Sequence, residues 1–470
     1  MSRSQAYCVR LVIPATLPPW KALMRSRSTR RDFLRQSTLA GAIAGTGYFS
    51  SRSVAESKSA NEKLNIAFVG VSNRAAANLS EMMGSSPQNI VAFADVDRRF
   101  RDQMASQYKD AKAYTDFRKM LDESHSQIDA VLVACTDHVH APAAAMAMSL
   151  GKHCYCEKPL THTVKEARFL ANLAAEKKLA TQMGTQIHAT DNYRRVVELV
   201  KTGVVGPIEE VHVWVSGGGW SNGKFNTNQP TPEYLDWDLW QGPATEHPYT
   251  DNVHPMNWRS FWEYGGGMLS DLGCHRMDLA HWALDLRHPT SISAEGPPVD
   301  AVGAPQSLKV SYEYPARGEM PAVKLFWYHG SERPAILSTY KGADGKPVAF
   351  GDGVLFVGKE GSIYGDYGRL MILPESKFAS VRIGIPEEQR IAASVGHHKE
   401  WIEACKTGSA TTCNFDYSGA LTEAVLLGLV AYRTGKTLAW DPVKLTATNC
   451  PEADAYITKA YRKGWEIPNL

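Results

Sequence analysis

The sequence predicts an α/β domain of parallel βαβ units, followed by an α+β domain built on a largely antiparallel sheet. Three observations carry this. From Leu64 to Met183 short apolar runs alternate with helical stretches of about 10–15 residues, the pattern of parallel units. From Ile208 onward, runs such as Ile208–Ser216, Val323–Tyr328 and Val354–Gly358 read as strands of a largely antiparallel sheet. The length, 470 residues, exceeds one ordinary core, so two domains are expected.

In the first domain the predicted strands are Leu64–Val69, Asn89–Ala94, Asp129–Ala134, His153–Cys156 and Ala180–Met183. Helices are predicted after the first strand to about Met83, over Arg98–Tyr108, before Leu150 and over Val164–Lys178. The turn after the first strand holds Gly70, Ser72, Asn73, Arg74 and Ala75. It is a degraded glycine-rich turn, with Ser72 and Ala75 where a second and third glycine would stand. Small residues there still let the backbone approach a pyrophosphate at a helix N-terminus. Asp95 closes the next strand, where a carboxylate binds a ribose 2′-hydroxyl and repels a 2′-phosphate. That favours NAD over NADP, while Arg74, Arg98 and Arg99 keep NADP possible. Thr136, His138 and His140 follow the third strand, and the two histidines are either structural or line a nicotinamide pocket. At Glu157-Lys158-Pro159 the proline pushes Lys158 into an extended or turn conformation, so its side chain leaves a strand end at a fixed angle.

The second domain opens with a helix over Asn192–Thr202. A long loop, Gly217–Trp262, is rich in Gly, Asn, Pro and Trp, and a loop of that length is usually functional or disordered. Its aromatic density argues against disorder; its indoles either face sugar rings or anchor the loop. From about Leu269 the chain reads as helix, and Asp271 and His275, four apart, share a face. A carboxylate beside an imidazole orients it and stabilises its charged form, although the pair could equally be a surface pair. His397–Lys406 and Gly419–Thr434 read as helices.

The first 55 residues hold nine basic residues and one acid, so a chain of net charge +2 is −6 beyond them. Such a mildly acidic body has no general attraction to nucleic acid or anionic membrane. Within the leader, Thr29-Arg30-Arg31-Asp32-Phe33-Leu34-Arg35 precedes a Gly/Ala-rich apolar run, Leu39–Phe49, and then Ser53-Val54-Ala55. This is similar to a twin-arginine export signal, which implies passage through the twin-arginine translocase to the periplasm. No apolar run is long enough to span a bilayer. Seven cysteines beyond the leader, without regular spacing, make no disulfide framework, and no Cys/His group has zinc spacing, so no metal is expected.

The segments VGVSNRA, FADVD, CTDHVHAPAA, CYCEKPLT, MGTQIHATDNYRR, WQGP, NWRSFWEYGGGMLSDLGCHRMD and NFDYSGALTEAVLLG together resemble the glucose–fructose oxidoreductase / inositol dehydrogenase (Gfo/Idh/MocA) family over about residues 62–445. The resemblance implies a Rossmann domain over 62–185. It also implies an open-faced, mostly antiparallel sheet domain over 186–445 and a tail, 446–470, packing on the core. It implies Lys158, Asp271 and His275 as the catalytic set, with Asp271 orienting His275. Cofactor-binding candidates are Gly70, Ser72, Asn73, Arg74, Ala75, Asp95, Thr136, His138, His140, Glu157, Lys158 and Gln186. Substrate candidates are Lys158, Tyr193, His254, Trp258, Arg259, Asp271 and His275. The expected activity is hydride transfer between a sugar or polyol hydroxyl and a tightly held NAD, in a homodimer or homotetramer. A glycosidase using bound NAD and a non-catalytic ligand-binding protein are the alternatives.

Overall fold

Strand order in the first sheet decides where a ligand can sit. The computed structural model describes residues 62–470 apart from 343, 382 and 383, so the predicted leader lies outside the described residues. Strands β1 (Asn65–Val69), β2 (Asn89–Ala94), β3 (Lys112–Tyr114), β4 (Ala130–Val133), β5 (His153–Cys156) and β6 (Thr181–Met183) form one parallel sheet in the order β3-β2-β1-β4-β5-β6. The order reverses between β1 and β4, and in such sheets ligands bind in the crevice at that switch point. Helices α1 (Arg74–Ser85), α2 (Arg98–Gln107), α3 (Phe117–Ser124), α4 (Asp137–Ser149) and α5 (Val164–Lys177) connect the strands. The sequence reading passes over β3 and α3. β3 is three residues on the sheet edge and partly exposed, so it shows no apolar run. The capping box of Thr163 and Glu166 sets the start of α5.

The second sheet has nine strands: β7 (Ile208–Ser216), β8 (Ser291–Glu295), β9 (Leu308–Tyr314), β10 (Val323–Gly330), β11 (Gly353–Gly358), β12 (Ser362–Gly365), β13 (Leu370–Leu373), β14 (Leu438–Asp441) and β15 (Thr446–Ala447). All pairings are antiparallel except β7 with β10. Period-two alternation sends Leu308, Val310, Tyr312 and Tyr314 into the core, while Lys309 and Glu313 point away from it. The covered face packs against α6 (Asp191–Lys201), α7 (Gly267–Ala283) and α9 (Phe415–Thr434). Helix α8 (His397–Thr407) instead turns back to α1, and Trp401, Ile402 and Cys405 join the first sheet's core.

The loop 217–262 is ordered by its own aromatic core. Trp237 and Trp240 stack with centroids 4.6 Å apart, and Tyr249, Trp258, Phe261 and Tyr264 close around them. Trp237 and Trp240 therefore anchor the loop. The loop also reaches the first sheet: Arg98 N–H donates to the Tyr234 carbonyl, and Asp236 N–H to that of Val96. At the C-terminus, Trp465 and Ile467 are buried. Among the described residues all seven cysteines are free, and no helix is long and apolar enough to cross a membrane.

Candidate active site

A cavity opens at the switch point. Gly70, Ser72, Asn73, Arg74, Asp95 and Thr136 line it, together with Phe117, Val139, Trp240, His254, Met256, Trp258, Arg259 and Trp465. Gly70 leaves β1 with φ +84°, and a Cβ there would stand 2.8 Å from the Ala134 carbonyl oxygen, so this first glycine position cannot carry a side chain. Ala75 is fully buried under α1, where its small size serves helix–strand packing rather than contact with the cavity. No side chain caps the N-terminus of α1, which leaves its free N–H groups for an anion. Asp95 faces this turn and accepts hydrogen bonds from the N–H groups of Val71 (3.0 Å) and Asp97 (2.9 Å). Burial pushes its carboxyl up to about 6. An uncapped helix end, a glycine with no room for Cβ and a facing carboxylate fit a dinucleotide with a free ribose 2′-hydroxyl.

Two segments outside the parallel sheet wall this cavity. His254 Nε2 lies 3.1 Å from Asp97, which also holds Arg99 at 2.6 Å. Arg118 stacks over Trp465 at 3.9 Å and donates to the Gly464 carbonyl, while Trp465 packs 6.0 Å from Phe117. The sequence reading missed Trp465. It lies in an irregular tail far along the chain, and nothing local marks it.

Beside the cavity, Arg259 leads to the charged centre. Asp271, on α7, accepts from Lys158 Nζ (2.6 Å), Arg259 Nε (3.0 Å) and Trp220 Nε1 (2.9 Å). Lys158 Nζ also donates to the Asp271 carbonyl at 2.6 Å. Although burial opposes it, Lys158 and then Arg259 hold the Asp271 carboxyl down at about 2. The expected partnership of Asp271 with His275 is therefore corrected: the carboxylate is committed to three other donors. His275 lies one turn on, and its Nδ1 is buried without a partner. Burial, then Lys158, pushes its imidazole down to about 3, so it is neutral over the physiological range. Asp137, at the start of α4, is buried nearby and pushed up to about 7 by burial, against the pull of Arg259 and Lys158. Trp220 and Asp137 are further residues that sequence spacing did not single out.

Several expected site residues have other duties. His138 is fully buried, with Nε2 3.0 Å from the Trp240 carbonyl, and packs against Trp240 and Tyr264. His140 bridges the carbonyls of Pro159 (2.8 Å) and Cys135 (3.2 Å). Neither lines the cavity, so both are structural. Glu157 is buried beneath it, accepting from Asn78 Nδ2 (2.8 Å), Gln186 Nε2 (2.9 Å) and Arg74 Nε (3.4 Å). Glu157 and Gln186 therefore brace the turn from below, and neither lines the cavity. Tyr193 is fully buried and donates to the His275 carbonyl at 3.3 Å, so it supports α7 and cannot meet substrate. His254, expected on the substrate side, sits on the cofactor side beside Asp97. Trp258 is 3 % exposed; it lines the cavity and carries the Arg259 guanidinium over its ring at 4.1 Å. Among the described residues no group of three or more His, Cys, Asp or Glu is placed to hold a metal ion.

Residues 64–185 match the profile of an oxidoreductase family with an NAD-binding Rossmann fold, and residues 190–319 match that family's C-terminal α/β domain. The chain belongs to the Gfo/Idh/MocA oxidoreductase family. Among curated relatives it is 24% identical over 220 residues to an uncharacterised oxidoreductase of Synechocystis, covering 47% of this chain and 51% of the relative. It is 24% identical over 191 residues to levoglucosan dehydrogenase of Pseudarthrobacter phenanthrenivorans, covering 40% and 41%. The chain thus spans about half or less of the length of these relatives. Of the solved structures, the WlbA dehydrogenase from Bordetella pertussis, held with NADH and UDP-GlcNAcA, shares the fold. Its TM-score is 0.55 at 14% identity, over 81% of this chain and 98% of that one. The family match makes residues 64–185 an NAD-binding Rossmann domain, and the cavity opens at the switch point of its sheet.

Proposed function

We propose that this family member oxidises a hydroxyl of a sugar or polyol at the Lys158–Asp271–His275 centre, or reduces the matching carbonyl in reverse. The observation that carries the reading is the Lys158–Asp271–Arg259 chain of ion pairs, running from the NAD cavity to a neutral, unpaired His275. NAD, when bound, supplies the hydride acceptor. A lysine ammonium has three N–H donors, and Asp271 takes two of them. The third is left to hold a substrate oxygen as negative charge develops there. The neutral His275 imidazole receives the hydroxyl proton. Asp271, ionised over the physiological range, fixes the lysine without itself carrying a proton. A relative that acts on levoglucosan supports a carbohydrate substrate. The His254 and Trp465 walls support a cofactor that stays bound between turnovers.

The test is steady-state oxidation of sugars and polyols by the NAD-loaded full chain and by Lys158→Ala. The variant is expected to lose about 10²- to 10⁴-fold in kcat/KM while a native mass spectrum still shows bound NAD. Turnover equal to wild type would refute the assignment.

The basic leader with its paired Arg30 and Arg31 supports export to the periplasm by the twin-arginine route. Exchanging both arginines for lysine should leave the protein in the cytoplasmic fraction. We also propose a homodimer or homotetramer, and a monomer mass by light scattering would end that reading.

A further inference from the structure

We propose that Arg276 makes this site selective for substrates that carry a carboxylate, so that sugar acids are preferred over neutral sugars. The inference rests on the hydroxyl-oxidising reading above and names its substrate class. Arg276 follows His275 on α7, about 100° further around the helix, so its long side chain flanks the proton acceptor rather than covering it. Its guanidinium lies flat on the Tyr367 ring, with Cζ 3.8 Å from the centroid. Tyr367 stands in the turn between β12 and β13, is 42% exposed, and feels the charges of Asp278 and Asp271, which puts the pair near the centre and open to solvent.

The carboxylates near Arg276 are already taken. Asp271 is held by Lys158, Arg259 and Trp220. Asp278 is held by His188 at 2.9 Å and by the Tyr417 hydroxyl at 2.7 Å. Among the described residues Arg276 has no carboxylate within ion-pair distance, and its Nε is buried without a hydrogen-bond partner. Buried guanidinium donors are normally paired, and one left open beside a reacting centre awaits an acceptor. The local charge agrees. Lys158, Arg276 and Arg74 all act on His275 against its protonated form, and Asp271 opposes them. A single planar fork matches one carboxylate, bound side-on while a hydroxyl of the same molecule reaches Lys158 and His275.

The experiment uses the NAD-loaded full chain and matched pairs: glucose with glucuronate, galactose with galacturonate, mannose with mannuronate. Calorimetric Kd and NADH-forming KM are measured for each. In at least one pair the acid should bind about 10- to 100-fold tighter than its neutral partner. Arg276→Gln should collapse that ratio towards one, and Arg276→Lys should restore part of it. Absence of an acid preference in every pair overturns the proposal, as does a preference that survives Arg276→Gln. The readouts also separate this inference from the one beneath it. Acid-selective binding lost in Arg276→Gln without NADH formation upholds Arg276 and sinks the oxidation reading. NADH formed equally from acid and neutral sugars does the reverse.

Discussion

At the scale of single residues, the centre pairs Asp271 differently from its sequence spacing. Asp271 and His275 share a helix face, and from that spacing the carboxylate would steady the imidazolium. The structure gives the carboxylate to Lys158, Arg259 and Trp220, three residues drawn from other elements. His275 is left neutral, and this has a kinetic consequence. The neutral ring is the form that takes a proton, and burial, then Lys158, holds its pKa down at about 3. Oxidative kcat/KM should therefore stay level from about pH 8 down to about pH 5, with its acid limb well below the usual histidine range. A limb at about 6.5 in the pH–rate profile would contradict this. Lys158 itself was legible in the sequence, because the proline after it restricts its own backbone. Arg259 and Asp271 were legible as candidates, but their partnership was not, since no local pattern encodes a contact between a loop and a helix.

At the scale of elements, the strands of the first sheet were readable because parallel strands are apolar throughout, as in the fully buried β4, Ala130–Val133. β3 escaped for the opposite reason, being short and on an edge. The reading of the loop 217–262 left open whether its tryptophans meet sugar or hold the loop. Trp237 and Trp240 hold it, while Trp240 and Trp258 also line the cavity. The tail carries an equivalent duty through Trp465, whose ring fills space between Phe117, Val139 and Gly242. Trp465→Ala should open that wall and raise the Kd for NAD by about 10-fold or more. A buried aromatic truncated to alanine costs roughly 3–5 kcal/mol where the gap does not collapse. Fluorescence titration of the emptied protein with NAD reads this directly, and an unchanged Kd would mean that the tail only packs.

At the scale of the molecule, histidine burial sets the response to acid. Eleven of the fifteen histidines (His138, His140, His153, His162, His212, His254, His275, His281, His329, His397 and His398) are pushed below the ordinary value, by burial first in each case. The unfolded chain would protonate these rings near pH 6.5 while the folded chain refuses the protons. Their contribution is whole above that pH and is lost as pH falls below it. Asp95 and Asp137 act in the opposite sense, since their raised carboxyls favour the folded state as pH falls from about 7 towards 4. Eleven rings outweigh two carboxyls, so calorimetry should find a lower Tm at about pH 4.5 than at about pH 7.5; a Tm that holds or rises would show that the carboxyls dominate. The two-domain plan was visible in the sequence, but the return of α8 onto α1 was not, because it depends on where the chain goes after 396 residues. The wall formed by Trp465 has one more implication, which concerns order in time. A ribosome makes the whole parallel sheet long before it reaches residue 465, so the growing chain holds an unfinished dinucleotide cradle throughout its synthesis. The segment around Trp465 completes the cradle, and firm capture of the nucleotide is therefore tied to the arrival of that segment.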